Sequence, residues 1–315
     1  MRTDYYAHAK VIGTIFAANQ AEAGAGGGLG VTSQSLPLIA NSVFVGNSAP
    51  EGGAIKNEDS SHASYINITV AHNRISGGTD NHGGAMDNFD SNPKLQNSLF
   101  WDNQSNASLQ ELHNSGTSSP TVQDSATSAA YSGNNACTGD CTPALLDLSE
   151  APFTSYPDAS SGTWSDAASY NAAAIQTTLT ATGTPFGSNN SLVGQFVRPN
   201  FATGQHYPIV ANTVNSLTIW GYVGVNPGQA YGIYDLRLKP TDSGFTNQCL
   251  EAGALAHLEQ FNFDGQNGNE DVNYDLDGNG ESDDLNRDVQ GNPRQIDIDS
   301  DGTMNVDIGA YERQP

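Results

Sequence analysis

The sequence predicts an all-β chain: a right-handed parallel β-helix with a small inserted β-module and an Asp-rich C-terminal segment. Three observations carry the prediction. A six-residue phrase recurs as Thr14-Ile15-Phe16-Ala17-Ala18-Asn19, Ser42-Val43-Phe44-Val45-Gly46-Asn47, Ile68-Thr69-Val70-Ala71-His72-Asn73 and Ser98-Leu99-Phe100-Trp101-Asp102-Asn103. Its closing Asn returns at spacings of 28, 26 and 30 residues. A Gly-Gly phrase trails the first three copies, as Gly26-Gly27-Gly28-Leu29, Gly52-Gly53-Ala54-Ile55 and Gly83-Gly84-Ala85-Met86.

A period of about 20–50 residues marks a solenoid. Short β-type segments broken by Gly, Asn and Ser argue against helical repeats. Residues 1–142 are read as rungs, regular from 10 to 125, with Leu109 to Val122 a looser one. Equivalent positions of a parallel coil stack about 4.8 Å apart, so Phe16, Phe44, Val70 and Phe100 form one column and Ile15, Val43, Thr69 and Leu99 its neighbour. Either column suits the interior. Asn19, Asn47, Asn73 and Asn103 are expected at a corner, where Asn tolerates the left-handed backbone and stacked amides hydrogen-bond between rungs. The paired glycines allow a sharp bend into the following strand.

Residues 143–233 break the period and read as the inserted module. Its strands are expected at Thr177-Thr178-Leu179-Thr180, Leu192 to Val197, Tyr207 to Val210 and Ser216 to Trp220, between Gly, Asn and Pro turns. The aromatics Trp164, Trp220 and Tyr222 stack on sugars if exposed, or else fill the module's core.

Residues 234–315 are read as a terminal rung and an acidic calcium-loop segment. Asp275, Asp277, Asn279, Glu281 and Asp283 place oxygens on alternate positions around Gly278 and Gly280. Asp297, Asp299, Asp301 and Asn305 repeat the layout around Gly302. Alternating oxygens converge on one hard cation, so Ca2+ is the expected cofactor, with a solvated acidic loop as the alternative. Asn286 and Ile308 stand where an EF-hand has its bidentate Glu, so these are not full EF-hands. They are closer to the Asp-rich calcium loops of thrombospondin-type repeats.

The formal charge is −23, which disfavours nucleic acid and anionic membranes as partners. No apolar run approaches the length of a membrane span. The three cysteines lack a zinc-ligand spacing. Cys137 and Cys141 flank a turn that a disulfide would close in an oxidising compartment, or they stay reduced; Cys249, before Leu250, reads as core. The repeat register accounts for Val11 to Ala18 better than a signal peptide does, so an export signal is expected upstream of Met1.

The rung phrases resemble those of bacterial right-handed β-helix proteins, namely the polymorphic outer-membrane proteins and the choice-of-anchor Q group. The second resemblance continues through Tyr234-Asp235-Leu236-Arg237-Leu238, Cys249-Leu250-Glu251-Ala252-Gly253, Gly291-Asn292-Pro293-Arg294 and Val306-Asp307-Ile308-Gly309-Ala310-Tyr311-Glu312. It implies a secreted or cell-surface location. For function it implies little, since such helices serve as adhesins, passengers and polysaccharide enzymes alike.

Lyases of this fold imply calcium-binding carboxylates beside an Arg or Lys base. The rungs offer Lys56, Arg74 and Lys94 with Asp59, Asp80, Asp87 and Asp90, and their spacing singles out no set. Hydrolases of the fold imply clustered carboxylates, for which Asp87 and Asp90 are the catalytic candidates, the alternative being solvated loop tips. His72 is expected to be exposed and His82 to sit in a turn. The favoured expectation is a non-catalytic, glycan-binding or adhesin-like protein stabilised by calcium; the competing one is a polysaccharide lyase or glycoside hydrolase with its cleft on the β-helix face. Oligomeric state is left open.

Overall fold

In the computed structural model the chain is all-β, with no helix among the described residues, and its N-terminal part is a parallel β-helix of about four turns. The structure describes residues 1–24, 26–77, 83–105, 108–109, 111–128, 132–133, 145–147, 152–155, 161–239, 249, 288–292, 307 and 309–311. The calcium-loop residues Asp275, Asp277, Asn279, Glu281, Asp283, Asp297, Asp299, Asp301 and Asn305 lie outside these, as do Cys137, Cys141 and His82. Among the described residues no helix is long and apolar enough to cross a membrane.

The first sheet stacks Arg2–Thr3, Leu29–Val31, Ile55–Asn57, Met86–Phe89, Leu112–Ser115 and Ser132–Gly133. The second holds Lys10–Ile12, Leu38–Ala40, Ser64–Ile66, Lys94–Gln96 and Thr121–Gln123. The third contains the repeated phrase: Ile15–Ala17, Val43–Val45, Thr69–Ala71, Leu99–Trp101, Ser125–Thr127 and Leu145–Asp147. A short fourth sheet joins Ser48–Ala49, Arg74–Ile75 and Gln104–Ser105, with Ser108–Leu109 antiparallel at its end.

Phe16, Phe44, Val70 and Phe100 are in register and face the interior, with the rings of Phe16 and Phe44 stacked at 4.5 Å. The neighbouring column faces outward, yet Val43, Thr69 and Leu99 are buried there because the module and the segment at Gly309 and Ala310 cover them. Each fully buried Phe or Leu contributes roughly 1.5–3 kcal/mol, so both columns support the stack.

The Asn column forms the expected ladder. Asn19 Nδ2 donates to Asn47 Oδ1 at 2.9 Å, Asn47 Nδ2 to Asn73 Oδ1 at 2.8 Å and Asn73 Nδ2 to Asn103 Oδ1 at 2.8 Å. The left-handed backbone, however, falls one residue earlier, at Ala18, Gly46, His72 and Asp102. The bend precedes each Asn and turns its amide inward, where it also caps backbone carbonyls such as Phe16 O and Phe44 O. A second left-handed column runs through Asn41, Asn67, Asn97 and Asp124. A serine column, Ser35, Ser61, Ser91 and Ser118, hydrogen-bonds each hydroxyl to the backbone N–H of the rung before it.

The ladder closes on Glu111. Backbone bonding aligns Glu111 with Gly28, Ala54 and Ala85, so a carboxylate points inward from a column of small residues. It accepts hydrogen bonds from Asn103 Nδ2 and Ser128 Oγ. Burial pushes its carboxyl up to about 7 from 4.5, and those hydrogen bonds only partly oppose the shift. A raised folded pKa means that the folded state holds the proton more tightly. The protonated group's stabilisation is therefore full below about pH 4.5 and is lost as pH rises through 7. Glu111→Gln is expected to flatten this decline, leaving the variant up to about 3 kcal/mol more stable than wild type at alkaline pH. Urea unfolding at several pH values reads the difference directly.

The module is a mainly antiparallel sheet built from Phe153–Ser155, Ala230–Leu238, Phe196–Arg198, Tyr207–Asn212, Ser216–Trp220, Gln176–Thr180 and Ser169–Asn171 in that order, with Gly162–Thr163 also on Ala230–Leu238. Its longest strand, Ala230–Leu238, is buried on both faces. Tyr231 and Ile233 enter the module's own core with Trp164, Leu179, Leu217 and Ile219, whereas Tyr234, Leu236 and Leu238 pack with Phe153 and Phe196 on the third solenoid sheet. That alternation explains why the run from Tyr234 makes a module strand bonded antiparallel to Phe196 and not a solenoid rung. The chain's end also docks on the solenoid: Gly309 N donates to Asn97 O and Ala310 N to Thr69 Oγ1, each at 2.8 Å. Cys249 and Tyr311 are buried in the same seam.

Candidate functional site

Parallel register brings together residues that sequence spacing does not single out. In the first sheet Ile55, Met86 and Leu112 point inward, and the residues that follow them, Lys56, Asp87 and His113, lie side by side facing outward. Lys56 Nζ bonds Asp87 Oδ2 and also pairs with Glu51 at 3.0 Å. His113 Nδ1 lies 2.6 Å from Asp87 Oδ1. Asp87 is fully buried and its neighbours only slightly exposed.

Asp87 is thus a strand residue inside an ion network and not a solvated loop tip. Burial works against its charge, but the His113 hydrogen bond and the Lys56 ammonium outweigh that and hold its carboxyl below the ordinary range. Burial likewise opposes the Lys56 charge, and Asp87 with Glu51 raises its pKa nonetheless. A cation held in this way is a poor proton acceptor, and a carboxylate engaged on both oxygens is a poor nucleophile or acid. The arrangement can, however, orient His113, whose ring is partly exposed. Asp90 is turned elsewhere: it has a left-handed backbone, and its Oδ1 accepts Thr117 N at 2.7 Å and Thr117 Oγ1 at 3.0 Å, clasping the next turn. Lys94 is an exposed residue of the second sheet.

The module offers a second candidate. Trp164 is core, stacked on Tyr231 at 4.2 Å. By contrast Trp220 is 51% and Tyr222 73% exposed. Tyr170, on the outermost strand, is 40% exposed and meets Tyr222 edge-on at 5.3 Å. The strand Ser216–Trp220 buries Leu217 and Ile219, which aims Trp220 at solvent, and Gly221, at φ +86°, then bends the chain. The register that sets Tyr170 beside Thr177 and Ile219 sets Trp220 beside Gln176, so the Tyr170–Tyr222 pair and Trp220 lie on opposite faces of these outer strands. Large aromatics exposed in this way are unusual on an ordinary polar surface, and they present apolar faces with a polar atom at the rim.

His72 is another departure from expectation. Its side chain is only 10% exposed because the module covers it: the ring stacks on His206 at 4.3 Å, and Tyr234 meets it edge-on. Burial depresses the pKa of both histidines, partly opposed in His72 by Asp102 and reinforced in His206 by His72 and Arg198. His206 and Arg198 escaped sequence reasoning because neither belongs to a repeat.

No protein-family model, curated protein or solved structure matches the chain.

Proposed function

We propose that the chain is a non-catalytic, glycan-binding protein of the cell exterior, adhesin-like, in which the solenoid is the rigid support and the module carries the recognition surface. The exposure of the Tyr170–Tyr222 pair on one face of the module's outer strands, and of Trp220 on the other, is the observation that carries this reading. Sugar rings present apolar C–H faces, and exposed aromatics give those faces a pre-ordered platform at little entropic cost. The acidic charge of −23 favours neutral or weakly charged glycans over polyanions. Its motifs resemble those of the choice-of-anchor Q and polymorphic outer-membrane β-helix proteins, and that resemblance is the basis for proposing a place outside the cell. Calcium belongs to the proposal through the Asp275 and Asp297 loops, and chelation should lower the melting temperature.

A glycan array is the test of choice. Wild type is expected to bind a subset of glycans, and Trp220→Ala and Tyr222→Ala each to lose about two- to tenfold in affinity, since a stacking contact is worth ~0.5–1.5 kcal/mol. Equal binding by the variants would remove the support for this reading. The competing lyase or hydrolase reading draws on the Asp87–His113 contact. It requires product release that Asp87→Asn abolishes without unfolding the protein; that result would replace the non-catalytic assignment.

A further inference from the structure

We propose that the cleft between the Asn corner of the solenoid and the module is a binding site for a small tetrahedral oxyanion of the sulfate or phosphate class, held by Arg74 from the solenoid and Arg198 and His206 from the module. The cavity measures about 60 Å³ and is lined by these residues with His72, Asp102 and Gln104. One water needs only about 10–15 Å³, so the space suits a few waters or one small anion. None of these residues belongs to the module's exposed aromatics.

Three features converge on an anion. The first is charge. Among the described residues no carboxylate pairs with either guanidinium; burial and the nearby Arg198 charge lower the pKa of Arg74, and both arginines act on His206. Asp102 is the carboxylate lining the cleft, and it is committed to His72 Nδ1 at 3.1 Å. Two guanidiniums against one carboxylate leave a local excess of positive charge in a chain of net −23.

The second feature is unmet hydrogen bonding. Arg198 Nε and His206 Nε2 are buried without a partner, and His206 is fully inaccessible. A buried N–H without an acceptor is costly, and an oxyanion supplies several acceptors at once. Guanidinium forks match such oxygens bidentately. His206 Nδ1 faces Gly204 O at 3.0 Å, which makes Nδ1 the protonated nitrogen of the neutral ring. Nε2 becomes a second donor when the ring takes up a proton, so a bound anion favours the imidazolium against the burial and the positive neighbours His72, Arg198 and Arg74.

The third feature is close fit. A side chain at Gly46 would strike His206 N at 2.4 Å, and one at Gly204 would meet Arg74 Nη1 at 2.9 Å. Glycine at both positions lets the two bodies close around the cleft.

The experiment is thermal unfolding and calorimetric titration of the full chain with inorganic sulfate or phosphate against chloride at equal ionic strength. The expected result is an anion-specific rise in melting temperature that chloride does not reproduce. Binding should weaken about tenfold or more in Arg74→Gln, through loss of a charge-assisted bidentate contact. Gln104 is exposed, so Gln104→Glu should fold normally; its carboxylate would compete for the same guanidiniums and remove the sulfate response even if Arg74→Gln does not fold. A sulfated disaccharide, run beside the free ion, identifies the source: equal affinity marks a free-ion site, and tighter binding displaced by sulfate marks a saccharide-borne group. Trp220→Ala should respond to sulfate as wild type does. The proposal is overturned if sulfate and chloride act alike on wild type, if Gln104→Glu keeps the response, or if Trp220→Ala abolishes it.

Discussion

Asn73→Ala is expected to destabilise the protein by about 3–5 kcal/mol, the largest loss for any single deletion in the solenoid. Asn73 Oδ1 accepts from Asn47 N at 2.9 Å and Asn47 Nδ2 at 2.8 Å, and Nδ2 donates to Phe44 O at 2.9 Å and Asn103 Oδ1 at 2.8 Å. Every one of these groups is buried. Removing the amide leaves at least two of them without partners, at ~1–3 kcal/mol each. Asn19→Ala provides the internal control: the same residue type stands at the solvated end of the column and is exposed. It should cost about 1 kcal/mol or less, because water replaces the lost bonds. Midpoints of guanidinium unfolding, compared at constant slope, measure both. Equal effects of the two substitutions would show that the ladder is not what ties the rungs together.

Lys56→Met is expected to cost nearly as much, about 3–5 kcal/mol, because it strands the buried Asp87 carboxylate without its cation. The double substitution Lys56→Met with Asp87→Leu removes both charges, and breaking a buried pair is far worse than replacing it. Most of the single-mutant loss should therefore return in the double variant, a coupling a double-mutant cycle reports directly. The same cycle bears on function. A network that exists to hold neighbouring rungs in register is replaceable by apolar residues with glycan binding intact. One that exists to orient His113 for chemistry is not.

The architecture was legible because a solenoid writes its register into the chain. The Asn phrase and the Gly-Gly phrase each mark one corner per turn, and the structure places both in columns. Ser35, Ser61, Ser91 and Ser118 follow the same spacing but have no apolar signature, so their column went unread. Which face of the repeated phrase turns inward was not legible either. In an exposed solenoid the outer column would be polar, but here Val43 and Leu99 lie beneath the module and the segment around Gly309 and stay apolar. The Lys56–Asp87 contact was in principle readable, since each follows the apolar residue of a Gly-Gly phrase; His113 was hidden because Leu109-Gln110 stands where its rung would carry the two glycines. The cleft formed by Arg74, Arg198 and His206 depends on docking between distant segments, which no local pattern encodes.

Of the chain's three tryptophans, Trp164 is buried, Trp101 is half-buried against Phe153 and Trp220 is exposed. Tryptophan emission during titration with a glycan selected on the array therefore tests the recognition surface most directly. A saturable blue shift is expected as a sugar covers Trp220, absent in Trp220→Phe/Tyr222→Ala at unchanged melting temperature. Saturable binding with no change in emission, or a full response in that double variant, would contradict it.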